Sequence, residues 1–250
     1  MRYRVTLAYD GAAYQGFQRQ AGDTPTIQLA VENAIDAVCG QRVTVTGAGR
    51  TDSGVHATGQ VIAFDVVWGH DDDSLLRALN ANLPGDIALQ NIRQQAGFHP
   101  RFDAAARIYH YRVIQSAQRQ PLWRNLAWHI SRPLDAERMQ QAAGLLVGQH
   151  DFAAFGKPPQ GDNTVREIMI SRWSQQVAEN ALLHVYEVEA NAFLQHMVRR
   201  IVGALVRVGQ GAMAIGEFEQ VLHSADRSRI KVMAPPQGLT LFKVRYPGDS

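Results

Sequence analysis

The segment Gly47–Gln60, GAGRTDSGVHATGQ, gathers Arg50, Thr51, Asp52, Ser53 and His56 among four glycines, between two stretches that alternate like β-strands. It offers one carboxylate, Asp52, two residues after a guanidinium, Arg50. A carboxylate serves as nucleophile or proton acceptor only while ionised, and a neighbouring cation favours that form. Glycines at 47, 49, 54 and 59 let the backbone bend and let a bulky partner come close. The simpler reading is an Asp that caps its own turn, so the rest of the chain has to discriminate.

Other chemistries fit the segment poorly. Gly47-Ala48-Gly49 lacks the third glycine of a dinucleotide fingerprint, and no Gly-Lys-Ser/Thr follows a glycine-rich loop anywhere. DSGVHA is similar to the aspartate segment of subtilisin-like proteases, but no Gly-Thr-Ser-type serine segment accompanies it. A glycosidase normally uses paired acids, and none is evident. The nine histidines contain no His-x-x-x-His pair and no acids cluster at ligand spacing, so a metal is not expected.

Three further stretches carry reactive side chains. RIYHYRV places Tyr109, Tyr111 and Val113 on one strand face with Arg107, either as core or as rings on which a base can stack. NAFLQHMVRR opens a long helix in which Gln195 with Arg199, and His196 with Arg200, stand four apart, off the apolar stripe. FHPRFDAAAR adds His99, Arg101 and Arg107 as phosphate contacts.

The elements that must position these groups alternate along the chain. Tyr3–Tyr9 reads as a strand with its large residues on odd positions. Thr24 and Pro25 open a helix whose apolar repeat runs through Ile27, Val31, Ala34 and Ile35 to a stop at Gly40. RVTVTG and QVIAFDVV flank the Asp52 loop, DDDSLLRALNANLPGD is a second helix with acids at its positive end, and DIALQNIRQ a strand. In the second half RIYHYRVIQ, NLAWHI, VREIMISRWSQQ, LLHVYEVEA and GLTLFKVRYP read as strands. PLDAERMQQAAGLLVG is a helix capped by Asp135, stapled by Leu134 and Met139 and ended by Gly148. AFLQHMVRRIVGALVRVGQG is the longest helix, with Phe193, Met197, Ile201, Ala204, Leu205 and Val208 as its buried stripe, and GEFEQVLHSA a short one. GKPPQGDN reads as a mobile loop and the terminal GDS as frayed. The reading is therefore α+β, with an N-terminal half over residues 1–105 and a C-terminal half over 106–250.

Composition bounds the partners. The first half carries eight Arg and no Lys against eleven acids, the second fourteen Arg and three Lys against twelve, so charge runs from −3 to +5. Arginine suits bidentate contact with phosphate and stacking on bases, although a GC-rich genome also enriches it. No apolar run approaches the roughly 18–20 residues that span a bilayer. MRYRVTLAYDG reads as a strand and not as a signal peptide, and the single Cys39 excludes an internal disulfide, so a cytoplasmic protein is expected.

Taken in order, GRTDSGVHATGQV, FHPRFDAAARIYHYRV, DFAAFG, TVREI and NAFLQHMVRRIVGAL resemble tRNA pseudouridine synthases of the TruA type over nearly the whole chain. Ser53 is the one departure noticed, where that family commonly has Ala. The resemblance implies a pseudouridine synthase fold: two ferredoxin-like halves with joined antiparallel sheets around a central cleft. It implies an isomerase that breaks the N1–C1′ bond of a flipped uridine and rejoins the base through C5. Asp52 is then the essential carboxylate, either attacking the nucleotide or deprotonating the ribose to form a glycal. The resemblance also makes Arg199 the ion-pair partner of Asp52, Arg50 the residue that holds the flipped nucleotide, Tyr109 the ring that stacks on uracil, and Arg166 a further member of the site. The implied substrate is tRNA, at positions 38, 39 and 40 of the anticodon arm, bound by a homodimer without metal or small-molecule cofactor. The alternative is a catalytically silent tRNA-binding or folding protein on the same scaffold.

Overall fold

The computed structural model describes residues 1–178, 180–230 and 232–249. It has an α+β fold that divides into two compact units, Met1–Ala105 with the chain from Thr240 onward, and Ala106–Leu239. The extreme C-terminal residue and the two at 179 and 231 lie outside the described residues; of the GDS end expected to fray, Ser250 lies there, whereas Asp249 is held by Arg4 and by the Tyr246 carbonyl.

The first unit is built on β1 (Arg2–Tyr9), whose alternation buries Tyr3, Val5, Leu7 and Tyr9 as the odd-numbered pattern predicts. β1 lies antiparallel between β3 (His56–Asp65) and β4 (Ile87–Gln94), and β10 (Leu239–Arg245) adds to β3 in parallel, with Thr240 opposite His56. Two helices supply apolar faces, α1 (Ile27–Cys39) through Ile27, Val31, Ala34 and Ile35, and α2 (Asp72–Asn82) through Leu75 and Leu79.

Local chemistry adjusts three expected boundaries here. Thr26, not Thr24, caps α1, its hydroxyl accepting the Leu29 amide at 3.3 Å. Pro25 is kept outside the helix because its carbonyl accepts the Gln15 amide at 2.9 Å. The strand expected at RVTVTG shrinks to β2 (Thr46–Gly47). Buried side chains of α1 take the backbone bonds a longer strand would need: Glu32 accepts the Val45 amide at 3.0 Å and Gln28 donates to the Val45 carbonyl at 3.1 Å. β3, in contrast, begins at His56, inside the glycine-rich segment.

In the second unit β5 (Ala106–Gln115) pairs with β9 (Ala181–Ala190), which pairs with β8 (Val165–Ala178) and onward to β7 (Gly148–Asp151), all antiparallel. β6 (Trp128–Ile130) runs parallel to β5. The helices are α3 (Ala136–Gly144), α4 (Met197–Gly209) and α5 (Ile215–Leu222). Asp135 caps α3 as expected, accepting the Arg138 amide at 3.0 Å, and Leu134 and Met139 are both buried. The helix ends at Gly144 instead of Gly148, because residues 145–147 tighten into i→i+3 turns that deliver the chain to β7, a strand too short and polar to register in the sequence. Phe152 and Phe155 of DFAAFG are fully buried and line up with Phe218 at ring separations of 6.1 and 6.0 Å, so that stretch is core.

The end of the chain is fastened to the first unit. Asp249 accepts from Arg4 at 2.5 Å and lies 3.6 Å from Arg93. The Arg4 hydrogen bond, joined by the charges of Arg4, Arg93 and Lys243, outweighs burial and holds the Asp249 carboxyl below its ordinary range. A carboxylate with a depressed folded pKa contributes stability above its unfolded pKa and loses it as pH falls through the folded one. Asp249→Asn should therefore cost about 1 kcal/mol at neutral pH, a charged hydrogen bond discounted for partial exposure. The gap to wild type should close below about pH 4, as read by denaturant titration at several pH values; a gap that persists unchanged in acid would contradict the ion pair.

Candidate active site

Asp52 and Arg50 lie in the first unit, between β2 and β3, on a loop with no regular structure. Its shape is imposed by bonds on both sides of the carboxylate. The Thr51 carbonyl accepts the Phe17 amide at 3.1 Å, and the Thr51 hydroxyl meets the buried Tyr9 hydroxyl at 2.8 Å. The Gly54 amide donates to Tyr14 at 3.3 Å, and the Val55 amide closes a turn onto the Asp52 carbonyl at 3.1 Å. Ser53, the departure from the family pattern, donates to the Tyr14 carbonyl at 3.2 Å and so adds one more tie. Upstream, the fully buried Gln60 donates to the Gly49 carbonyl at 2.9 Å. Asp52 emerges half-buried and Arg50 exposed.

The facing wall is the loop after β1. A Cβ on Gly11 would sit 2.0 Å from the Val55 carbonyl oxygen, and one on Gly16 would sit 2.7 Å from that of Thr51, with Gly16 at φ +92°. Only glycine permits both approaches. The glycines within the segment do not all keep space for an incoming partner: the Phe17 ring fills the space beside Gly47, and the Phe242 carbonyl lies 2.2 Å from where a Gly59 Cβ would stand. Protein, not ligand, occupies those two positions.

His56, the histidine of the segment, is buried beneath this loop. Its Nδ1 lies 3.1 Å from the Gly11 amide and 3.0 Å from an Asp10 carboxylate oxygen. A neutral ring with its proton on Nε2 accepts from Gly11, whereas a ring protonated on Nδ1 pairs with Asp10. Tyr14, on the same wall, donates to Asp86 at 2.7 Å, and burial raises its phenol pKa. Nothing in the local pattern marks His56 or Tyr14, because their partners are 45 and 72 residues away.

Tyr109, Arg199 and Arg166 belong to the second unit. Tyr109 is buried on β5 and meets the Phe193 ring edge-on, with centroids 5.0 Å apart and planes at 86°. Tyr111, two residues on, is fully buried and donates to the Pro235 carbonyl at 2.8 Å. Burial raises its phenol pKa, opposed by the positive charge of Arg199. Arg199 is 9% exposed, and its Nε donates to the Ala234 carbonyl at 2.9 Å. Arg166 instead folds onto its own strand entry, donating to the carbonyls of Asn163 and Val165, and burial lowers its pKa.

The pairs read from NAFLQHMVRR do not form as expected. α4 starts at Met197, and His196 stands before it in the left-handed region at φ 63°, so Gln195 and His196 are not on a helical face with Arg199 and Arg200. Gln195 is drawn away by Lys157, whose carbonyl accepts its amide at 2.9 Å. Arg199, expected off the apolar stripe, is buried. The helix is buried on nearly every side, because α3 and α5 pack on it and the Val232 carbonyl approaches Gly203 to 2.1 Å of where a Cβ would lie. Phe193, expected in its stripe, is half-buried ahead of it, and Leu194 takes the core position.

The loop of residues 47–55 falls inside a known sequence pattern, whereas the tyrosine-bearing strand β5 lies between its two matched stretches. A family model described as tRNA pseudouridine synthase matches residues 6–103 and 142–247. The chain belongs to that family. It is 41% identical over 249 residues to tRNA pseudouridine synthase A of Neisseria gonorrhoeae, covering 99% of this chain and 92% of the relative. Its counterpart in Pseudothermotoga lettingae is 41% identical over 247 residues, covering 98% and 99%. That of Chloroflexus aurantiacus is 44% identical over 245 residues, covering 97% and 88%. Family membership makes the chain an isomerase of uridine nucleotides. Among the described residues, no helix is long and apolar enough to cross a membrane.

The packing of Gly16 on the Asp52 loop gives a direct test. Gly16 and Gly22 both hold positive φ, at +92° and +74°, but nothing lies within 4 Å of a Cβ on Gly22. Gly22→Ala pays backbone strain alone, about 1 kcal/mol. Gly16→Ala must also push the Thr51 carbonyl aside, and thermal or urea unfolding should show it costing at least roughly 1 kcal/mol more. Equal losses would contradict the close approach.

Proposed function

We propose that this protein converts uridine to pseudouridine in tRNA, at positions 38, 39 and 40 of the anticodon arm, with Asp52 as the essential carboxylate. The observation that carries this reading is the treatment of Asp52: its carbonyl and those around it are committed to hydrogen bonds, while its side chain stays half-buried beside the exposed Arg50.

In the reaction the N1–C1′ bond of the target uridine breaks, the base turns, and C5 bonds to C1′. The C5 proton leaves to solvent and N1 takes one up, so the product is an isomer of the substrate. Bond breaking and remaking are internal to the nucleotide, which calls for no metal or cofactor. The uridine has to leave its stack first, at a cost of a few kcal/mol. In this reading Arg50 grips the extruded nucleotide, Tyr109 stacks on its uracil, Arg199 is the cation that keeps the carboxylate ionised, and Arg166 contributes charge. Burial of an isolated carboxylate would favour its neutral form, which neither attack on the nucleotide nor removal of a ribose proton can use. Work at three neighbouring positions points to recognition by tRNA shape and backbone, consistent with the Arg-rich second half, and we read the active species as a cytoplasmic homodimer.

The test is to incubate the purified protein with an unmodified tRNA transcript carrying uridine at positions 38, 39 and 40 and to map pseudouridine along it. Pseudouridine confined to those three positions is expected. Its appearance only elsewhere would remove the anticodon-arm assignment, and its absence would favour the silent RNA-binding alternative.

A further inference from the structure

Between β4 and β5 the chain makes a turn, Phe98–Asp103, that the reaction above does not use. It is held from beneath. Phe98 is buried, and the Arg4 guanidinium lies 5.0 Å from its ring centroid and 4.2 Å from that of Tyr246. Tyr246 donates its hydroxyl to the Pro100 carbonyl at 2.8 Å, and Arg2 donates to the Phe98 carbonyl at 2.5 Å. Asp103 closes the turn, its carboxylate accepting the His99 amide at 2.9 Å and its own amide donating to the His99 carbonyl at 3.1 Å.

The upper surface is aromatic. His99 Nδ1 accepts the amides of Arg101 and Phe102, each at 3.2 Å, which places the proton of a neutral ring on Nε2. The imidazole stacks on the Phe102 ring with centroids 4.2 Å apart and planes at 26°. Phe102 is nevertheless 76% exposed, and the Arg101 guanidinium carbon is 5.9 Å from its centroid. A solitary exposed ring needs no explanation. A ring held by a stacked imidazole, on a turn tied at both ends and from below, has already lost the freedom that binding would otherwise cost. Its neighbours in the turn are His, Arg, Asp and a buried Pro, with no exposed aliphatic side chain to extend an apolar protein contact. A flat base with a phosphate attached fits a fixed ring beside a guanidinium.

We infer that the His99–Phe102 pair is a stacking platform for an unpaired nucleotide of the bound tRNA other than the one being isomerised, with Arg101 meeting an adjacent phosphate. This rests on the tRNA reading above and extends it to a second point of contact.

The experiment measures equilibrium binding of an unmodified tRNA transcript to the full chain across a range of salt, which requires no turnover. Phe102→Ala should weaken binding by roughly 5- to 150-fold, the range for losing one base–aromatic stack, and leave the salt slope unchanged. Phe102→Trp should restore affinity, and Arg101→Gln should reduce the slope of log K against log salt by about one. In steady state Phe102→Ala should raise KM while kcat stays within about two-fold of wild type, as expected when uniform binding is lost. Wild-type affinity in Phe102→Ala, or a loss that Phe102→Trp does not restore, overturns the platform. Failure of the underlying reading looks different: wild type itself then fails to bind tRNA, or binds it and makes no pseudouridine.

Discussion

The loop that carries Asp52 has no helix or strand to hold it, so its shape depends on two backbones meeting where no side chain intervenes. Gly11 and Gly16 bring the loop after β1 against the carbonyls of Val55 and Thr51, closer than any Cβ would allow. That contact lets Phe17 and Tyr14 form backbone bonds on either side of Asp52, and it puts Tyr9 and His56 beneath as buried polar supports. Each bond contributes only about 1 kcal/mol net. Together they fix the backbone on both sides of a half-buried carboxylate, the kind of support the proposed role of Asp52 calls for.

The same economy holds in the second unit. Arg199 sits on a helix buried on nearly all sides, so its guanidinium has few places to go, and Ala234 bonds it from both backbone and side chain. Tyr109 and Phe193 lock edge to face, which leaves the tyrosine ring little rotational freedom. If they act as proposed, groups held in this way need no rearrangement when charge develops. Arg166 differs, since its guanidinium is turned onto the backbone of its own strand entry.

How much of this was legible in the sequence depended on how local each feature is. The alternation of Tyr3, Val5, Leu7 and Tyr9, the Gly40 stop and the Asp135 cap are written within a few residues, and the structure follows them. Asp52 and Arg50 stood out because reactive types crowd together there. Features set by distant partners were not legible. Glu32 takes the Val45 amide and shortens a strand 13 residues away, and Lys157 draws Gln195 out of the helix that periodicity had given it. The burial of Arg199 is another case, because a helix read alone does not show that α3, α5 and the 232–234 segment pack on it. Glycine was legible as a residue but not as a role: Gly47 and Gly59 accommodate Phe17 and Phe242, whereas Gly11 and Gly16, outside the reactive segment, shape the site.

The central claim is that Asp52 is the carboxylate on which isomerisation depends. Because C5 gives up its hydrogen when it bonds to C1′, tRNA tritiated at uracil C5 reports the reaction as tritium released into water. Wild type should release label from the target uridines, and Asp52→Asn, which keeps the side chain's size and removes its charge, should release none while unfolding at the wild-type temperature. Release by Asp52→Asn at the wild-type rate would contradict the account, and so would a wild-type protein that releases nothing.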